Sequence, residues 1–389
     1  MKNLIQLMVR ELKMLSGNGV LMAVFIGAPI FFGILLGFVY KDAKVSDLPI
    51  LVVDYDRTYL SSNLIDALND NQYLEISQVL HDQAELKSLM QQGTQNAVIT
   101  IPDGFEGDIH QKRYPEISVD LNAANILTAN YAARGIQHVL ETSKAGIEIN
   151  SLNKQGIPVN IAQKQFESFK INMNRFFNPG ANYLEFLWPG ILAAILQQVF
   201  LLAMALTFSR EFEKNTFNEL SAKAGNAFNM LMVKSIPYWL IGMLIWGFIL
   251  QFVFPYFRLS FFGVDFMALF ILSALFVLSV TFIGTLVSVL IPSQLKSTEV
   301  LMIVASPSFI LSGFTWPLTQ MPDWVQLLAK MIPLTPFLEG FRQVFMLEGN
   351  LSTIQGSLIN LGWIASISFI ITISILKLKM KKIQQSTVN

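Results

Sequence analysis

Apolar residues fall in long blocks along this chain. Val20–Tyr40, Leu184–Phe208, Ile236–Phe254, Phe266–Ile291, Val300–Trp316 and Leu358–Leu376 carry almost no charge through their middles. A bilayer core of about 30 Å takes roughly 20 apolar residues as a helix. The pattern therefore predicts a membrane α-helical protein of about six transmembrane helices. A charge at the centre of such a helix costs about 2.5–3.5 kcal/mol on the insertion scale, which explains the clean middles. The fifth block is short and holds Pro307. The first block is read as a span and not a secretory leader, because its apolar run is too long and no A-x-A-like site follows.

The pattern changes between the first two blocks. Pro49–Val53 is a continuous apolar run, as in a buried strand, and Asp54–Arg57 follows as a turn. Leu60–Leu68 reads as a helix, Tyr73–Val79 alternates as a strand, and Gln83–Met90 is helical up to Gly93. Ala97–Ile101 and Ile117–Leu121 read as further strands, and Leu127–Leu152 as a long helix weakened by Gly135 and Gly146. Phe166–Phe177 leads back toward the membrane. Strands alternating with helices predict an inserted α/β domain. The predicted organisation is a connecting helix over 1–19, a first span over 20–40, the inserted domain over 41–182, and five spans within 183–389. Residues 209–234 form a loop after the second span, and 317–354 form a re-entrant region before the last helix.

Charge then orients the chain. Lys and Arg make up 27 residues and Asp and Glu another 27, so net charge is zero, and only 14% of residues are charged. Soluble domains carry about a quarter. A nucleic-acid binder usually shows a basic excess, so the balance argues against that class. Bases cluster at Lys2, Arg10 and Lys13, at Arg210, Lys214, Lys223 and Lys234, and at Lys377, Lys379, Lys381 and Lys382. The opposite loops hold few, among them Arg258, Lys330 and Arg342. The positive-inside rule places the first three groups, and both termini, in the cytoplasm of a multi-pass cell-membrane protein, with the α/β domain outside. The chain has no cysteine, which removes disulfides, thiolate metal sites and cysteine nucleophiles. His81, His110 and His138 form no HExxH motif.

Little in the sequence reads as reaction chemistry. Asp54 and Asp56 could form a catalytic or metal pair, but a turn after a strand is the preferred reading. Arg210-Glu211-Phe212-Glu213-Lys214-Asn215-Thr216-Phe217-Asn218-Glu219-Leu220 reads either as a short amphipathic helix at the membrane surface or as a solvated connector. Farther on, Leu311-Ser312-Gly313-Phe314-Thr315-Trp316-Pro317, Met321-Pro322-Asp323-Trp324, Ile332-Pro333-Leu334-Thr335-Pro336 and Leu338-Glu339-Gly340-Phe341-Arg342 repeat helix-breaking prolines beside interfacial tryptophans. That composition predicts a re-entrant or interfacial segment.

These stretches, in this order, resemble the membrane-spanning permease subunits of ABC-2 type exporters with a large external domain after the first helix. Arg10-Glu11-Leu12-Lys13 resembles the family's cytoplasmic connecting helix. Val52-Val53-Asp54-Tyr55-Asp56 and Ala97-Val98-Ile99-Thr100-Ile101-Pro102 resemble its external-domain strands. Asn178-Pro179, Asn182-Tyr183 and Pro189-Gly190 resemble the lead-in to its second helix. Arg210, Glu211, Glu213, Lys214, Thr216 and Glu219 resemble its coupling segment, and Ser312, Gly313, Pro317, Pro333, Glu339 and Arg342 its last external region. Asn215 stands where the family usually has a small glycine. A proline often found beyond the coupling segment is missing from Ser221–Gly225.

The resemblance implies half of an export pathway. No G-x-x-x-x-G-K-[ST] loop is present to cradle phosphates. ATP is therefore expected on a separate ABC ATPase subunit, with no cofactor on this chain and no enzymatic role for it. A second permease chain, identical or related, is expected to complete the pathway, and a periplasmic or envelope partner and membrane lipids are further candidate partners. An amphipathic drug or lipid is the favoured substrate class, and Gln197 and Gln198 are candidate pathway residues alongside a helix–helix bonding role. Two other readings stand beside this one. A membrane-anchored receptor or assembly scaffold would use the external domain to bind a partner. An ion-coupled secondary transporter would need acids or histidines at bilayer depth. The mid-span polar residues are mainly Gln197, Gln198, Thr281, Ser288 and Ser306, with Glu185 and Glu299 near span ends.

Overall fold

The computed structural model describes residues 2–41, 45–82, 86–166, 177–178, 182–259 and 261–386. The chain divides into two compact units, residues 1–43 with 175–389, and residues 44–174. The expected lead-back over Phe166–Phe177, Pro179 of the second-helix lead-in, and the start of the helix expected from Gln83 lie largely outside the described residues.

The larger unit begins with α1 (Lys2–Ser16). Leu7, Glu11 and Leu15, four apart, are buried, while Ile5, Val9 and Leu12 stay exposed, as an amphipathic stripe requires. The helix ends at Gly17, and the Asn18 side chain accepts from Leu21 N to start α2 (Gly19–Val39). Inside α2, Ala23–Gly27 forms a π turn just ahead of Pro29. Proline has no N–H for the carbonyl four residues back, and a wider turn absorbs the mismatch.

The smaller unit holds β1 (Leu48–Asp54), α3 (Tyr59–Asn69), β2 (Leu74–Leu80), α4 (Leu86–Gln91), β3 (Ala97–Ile101), α5 (Phe105–His110), β4 (Ser118–Leu121), α6 (Ile126–Lys154) and α7 (Val159–Phe166). Sheet order is β2-β1-β3-β4, with β1 parallel to β2 and β3, and β4 antiparallel to β3. Ile50 to Val53 are all fully buried because both faces of the sheet are covered. Ile50, Val52 and Ile99 meet Leu64, Leu68, Tyr131 and Ile136. Leu51, Val53, Val98 and Leu80 meet Leu86, Leu89 and Met90. A continuous apolar run is the signature of a strand in that position. The Asp54 carboxylate accepts from Asp56 N and Arg57 N, each at 3.1 Å, and from Ser61 Oγ at 2.9 Å. Asp56 accepts from Glu106 N at 3.1 Å. Both acids are committed to the turn, and the described residues contain no group of three or more His, Cys, Asp or Glu able to hold a metal.

The larger unit resumes with α8 (Tyr183–Glu213), α9 (Phe217–Ala224), α10 (Ala227–Tyr256) and α11 (Phe266–Leu290). Asn182, Asn226 and Asp265 cap α8, α10 and α11 by accepting from backbone N–H groups of the first turn. The sequence placed the end of the second span near Phe208 and the start of the third near Ile236. Both helices continue past those points, so Arg210–Glu213 and Ala227–Lys234 are helical and the true connector is short. In α10 a second π turn, Ile249–Val253, precedes Pro255 as the first precedes Pro29.

Then come α12 (Gln294–Ala305), α13 (Ser308–Leu311), a 3-10 turn (Leu318–Gln320), α14 (Asp323–Lys330), α15 (Leu334–Phe341, continued by a π turn over Arg342–Met346) and α16 (Gln355–Ser386). Pro307 breaks the block expected as a fifth span into α12 and α13, and α12 begins six residues before Val300. Five helices among the described residues are long and apolar enough to cross a membrane: α2, α8, α10, α11 and α16 over Gln355–Lys382. The α12–α13 segment nevertheless follows α8 from end to end. Gln294 N donates to Glu213 at 2.7 Å, Ser297 Oγ donates to Ala205 O at 3.2 Å, and the Phe314 ring lies stacked on Phe186 and against Gly190. Gly190 tolerates this only because it has no Cβ, which would lie 2.4 Å from the ring.

α15 turns back into the apolar interior. Its residues Leu334 to Leu338, with Gly340 and Phe341, are buried, and Phe337 stacks on Phe276 of α11 at 4.0 Å. α14 is different: Trp324, Leu327 and Leu328 are exposed and Ala329 is buried.

Candidate functional site

The coupling residues singled out in the sequence meet at one end of the larger unit, around a carboxylate in the last turn of α8. Glu211 is buried. It accepts from Lys234 Nζ of α10 at 2.7 Å, from Arg10 Nη2 of α1 at 3.3 Å, and from the Thr216 hydroxyl. Lys234 Nζ also stands 2.7 Å from Glu11 Oε1 of α1. The ionic groups thus alternate in sign along the path Arg10, Glu211, Lys234, Glu11. Helix α1 contributes one charge of each sign, and so do α8 and α10 together. Lys234, Glu11 and Glu211 have side-chain exposures of 0%, 1% and 1%, so each charge depends on the others for its solvation.

Glu11 is the weak point of the chain of charges. The Lys234 ammonium meets Oε1 alone, and Oε2 has no hydrogen-bond partner among the described residues. Burial raises the Glu11 carboxyl above its ordinary range, against the pull of Lys234. Ser235 Oγ, one residue along α10, is also buried without a hydrogen-bond partner among the described residues.

The other predicted residues divide by exposure. Glu213 is exposed and accepts from the backbone and side chain of Gln294. Glu219 and Lys223 pair at 2.5 Å on the outer side of α9. Lys214 is exposed at the turn, and Arg210 is half-buried with no ion pair among the described residues. Phe217, Leu220 and Ala224 bury the inner side of α9.

Sequence reasoning missed three things here. It counted Lys234 as an interfacial base, but Lys234 is sealed inside the cluster. Met230, Leu231, Val233 and Ile236 around it were the available signal, since a lysine among apolar neighbours at helical spacing needs a buried partner. It also missed that α16 reaches this end. Lys379 Nζ lies 4.0 Å from the centre of the Phe212 ring, and Phe212 stacks on Phe217 at 4.6 Å. The third is Ser288, whose hydroxyl bonds across to α8. Three base-bearing segments, α1, the α8–α9 turn and the end of α16, are thereby in direct contact.

The second predicted group lies elsewhere in the larger unit. Ser312 Oγ donates to Phe309 O at 2.6 Å and accepts from Phe314 N, while Gly313 adopts φ +78° to make the turn. Arg342 donates to Phe314 O at 2.8 Å with its guanidinium 4.7 Å from the Phe314 ring centre, so α15 is tied to the turn after α13. Pro333 caps α15 and Pro317 the 3-10 turn, and Glu339 is exposed. Gln197 is buried with Oε1 unpartnered among the described residues, and Gln198 is half-buried. Of the other mid-span polar groups, Thr281 and Ser288 are spent on backbone bonds within and between helices, and Ser306 is exposed.

Residues 19–374 match the family described as ABC-2 family transporter protein. The chain belongs to that family. It is 27% identical over 313 residues to the probable multidrug ABC transporter permease YbhS of Escherichia coli K12, covering 78% of this chain and 75% of that one. It is 25% identical over 349 residues to the inner membrane transport permease YhhJ of the same organism, covering 87% of each. A third relative, the probable multidrug ABC transporter permease YbhR, is 22% identical over 268 residues, covering 68% of this chain and 69% of that one. The chain is a multi-pass membrane permease with a transport role, and membership of the family implies an ABC ATPase partner. The cluster around Glu211 joins α1, α8 and α10 at one end of the larger unit.

Proposed function

We propose that this chain is one half of an ATP-driven export pathway, and that the Glu211 cluster is where ATPase motion enters it. The observation carrying the reading is the buried alternation Arg10–Glu211–Lys234–Glu11. It locks α1, α8 and α10 together, so a force on the exposed side of α9 or on α1 reaches two long apolar helices without slack. Glu219 and Lys223 offer the exposed charges that a partner would meet.

In this reading the chain crosses the membrane six times, with both termini cytoplasmic, the smaller unit outside and α15 re-entrant. The α12–α13 course along α8 supports the sixth crossing. From Glu213 to Gly190 is 23 residues of helix, about 35 Å at 1.5 Å per residue, enough for the bilayer core. The contact of three base-rich segments at one end supports the orientation, even with Lys234 removed from the count because it is buried. A second permease chain completes the pathway. The substrate is amphipathic, a drug or lipid; the drug class is in keeping with two relatives being probable multidrug permeases, and an envelope partner and membrane lipids are candidate contacts of the external parts.

Co-purification of the full chain with its ATPase tests the reading. Glu219→Lys with Lys223→Glu is expected to weaken ATPase binding while the permease stays folded. Lys234→Met, measured in a chain that still inserts, is expected to leave ATPase bound but not stimulated. Wild-type binding and stimulation in both variants would remove this end of the larger unit from the coupling path and favour a receptor or scaffold role.

A further inference from the structure

One turn before Glu211, a side chain from α11 bonds into the backbone of α8. Ser288 Oγ accepts from Phe208 N at 2.8 Å and from Ser209 N at 2.9 Å. In a regular helix those two N–H groups serve the carbonyls of Met204 and Ala205. Here those carbonyls have other donors as well. Thr207 Oγ donates to Met204 O at 2.7 Å, and Ala205 O is within reach of Ser209 Oγ at 2.8 Å and Ser297 Oγ at 3.2 Å. Ser209 Oγ also lies 2.9 Å from Ile291 O and 3.2 Å from Ser288 O. Ser209, Ser288 and Ser297 are fully buried and Thr207 nearly so.

Bending a helix in an apolar setting normally strands N–H and C=O groups that have no water to turn to. At this turn each of them has a hydroxyl to exchange with, so rungs can open and close without leaving a polar group unpaired. Side chains inserted into the helical ladder are a recognised cause of helix bends. The residues beyond, Arg210 to Glu213, include Glu211, which anchors the charge cluster. The residues before it carry Met204 and Phe200, whose close fits against Gly284 and Gly242 fix the membrane part of α8 to α11 and α10.

We infer that the Phe208–Ser209 turn is a hinge, and that Ser288 is the positioning residue that holds the last turn of α8, and with it Glu211, at its working angle. The coupling role of that angle rests on the function proposed above; the hinge itself does not. Ser288 acts through the α8 backbone and needs no contact with a transported molecule.

Because the chain has no cysteine, Lys214→Cys with Phe270→Cys gives a spin-label pair without background. One label follows the turn beyond the hinge and the other stays near the far end of α11. In the full chain, without ATP, Ser288→Ala is expected to narrow the distance distribution about two-fold and shift its centre, because α8 closes its own ladder. Ser288→Thr keeps the hydroxyl and is expected to restore the wild-type distribution. Ser209→Ala leaves the Ser288 acceptor in place and is expected to change the width less than Ser288→Ala. An unchanged distribution in Ser288→Ala, or a change that Ser288→Thr fails to reverse, overturns the hinge. The same pair in the complex with its ATPase reads the coupling. An ATP-driven shift in wild type that Ser288→Ala abolishes supports the positioning role, and an equal shift in both overturns it. No ATP-driven shift in wild type, with the first set of results intact, removes the coupling reading and the positioning role and leaves the hinge standing.

Discussion

Lys234 and Glu211 stand 2.7 Å apart on consecutive long helices, with no solvent reaching the lysine. The lysine also serves Glu11, so its removal strands two buried carboxylates at once. Breaking a buried pair by deleting one partner costs about 3–5 kcal/mol. Lys234→Met is therefore expected to lower thermal stability sharply, and Glu11→Gln much less, because the Lys234–Glu211 pair survives it. Thermal unfolding of the purified permease followed by tryptophan fluorescence measures both. Equal losses in the two variants would mean that Lys234 does not hold the cluster.

Acidity offers a second handle on the same place. Burial raises the Glu11 carboxyl, so the folded protein holds that proton more tightly than the unfolded chain. The contribution is fully present below the ordinary carboxylate range and fades as pH rises through the elevated folded value. Wild type is expected to lose stability from this group as pH rises from the ordinary carboxylate range through that elevated value. Glu11→Gln, which cannot ionise, is expected to show a flatter profile over that window. Melting temperatures of both proteins across a pH series decide the matter.

Close helix approach should be intolerant of added volume. A Cβ at Gly242 would lie 2.2 Å from the Phe200 ring and 2.8 Å from Val277. Overpacking of this sort costs about 1–3 kcal/mol. Gly242→Ala is expected to fall in that range, whereas Gly247→Ala on the same helix, where nothing lies within 4 Å, is expected to be neutral or stabilising. A denaturation series on the two variants makes the comparison.

The tie between α15 and the turn after α13 is expected to depend on guanidinium geometry. Arg342 bonds the Phe314 carbonyl and lies over the Phe314 ring together. Arg342→Lys keeps the charge but loses the flat face and the fork. It is expected to increase amide hydrogen exchange over 312–320, read by mass spectrometry, while exchange in the smaller unit stays as in wild type.

Much of the architecture was legible in the sequence because membrane helices announce themselves by length. The strand Leu48–Asp54 was legible for a similar reason, being buried on both faces and thus continuously apolar. Pairing across helices was not. Lys234 looked like a flanking base because hydropathy counts charges without seeing Glu211 and Glu11 arrive from α8 and α1. The helical stretches of α8 beyond Phe208 and of α10 before Ile236 were not legible, because Arg210, Glu211 and Lys234 look like interfacial charges when read singly. Ser288 was visible as a mid-span polar residue but its partner was not, since a serine in an apolar helix looks the same whether it bonds its own backbone or another's. Pro307 did show where the fifth block breaks, and the course beside α8 came only from the packing of Gln294, Ser297 and Phe314.

That course bears on how the protein is made. The α12–α13 segment opens with Lys296 and Glu299 and is cut by Pro307, so by itself it partitions poorly from the translocon into lipid. Its stabilising surface is α8, synthesised some eighty residues earlier. On the six-crossing reading, α8 must still be beside the insertion machinery when Gln294–Phe314 emerges, and a long pause or a large insertion between α11 and α12 would leave this segment on the wrong side of the membrane.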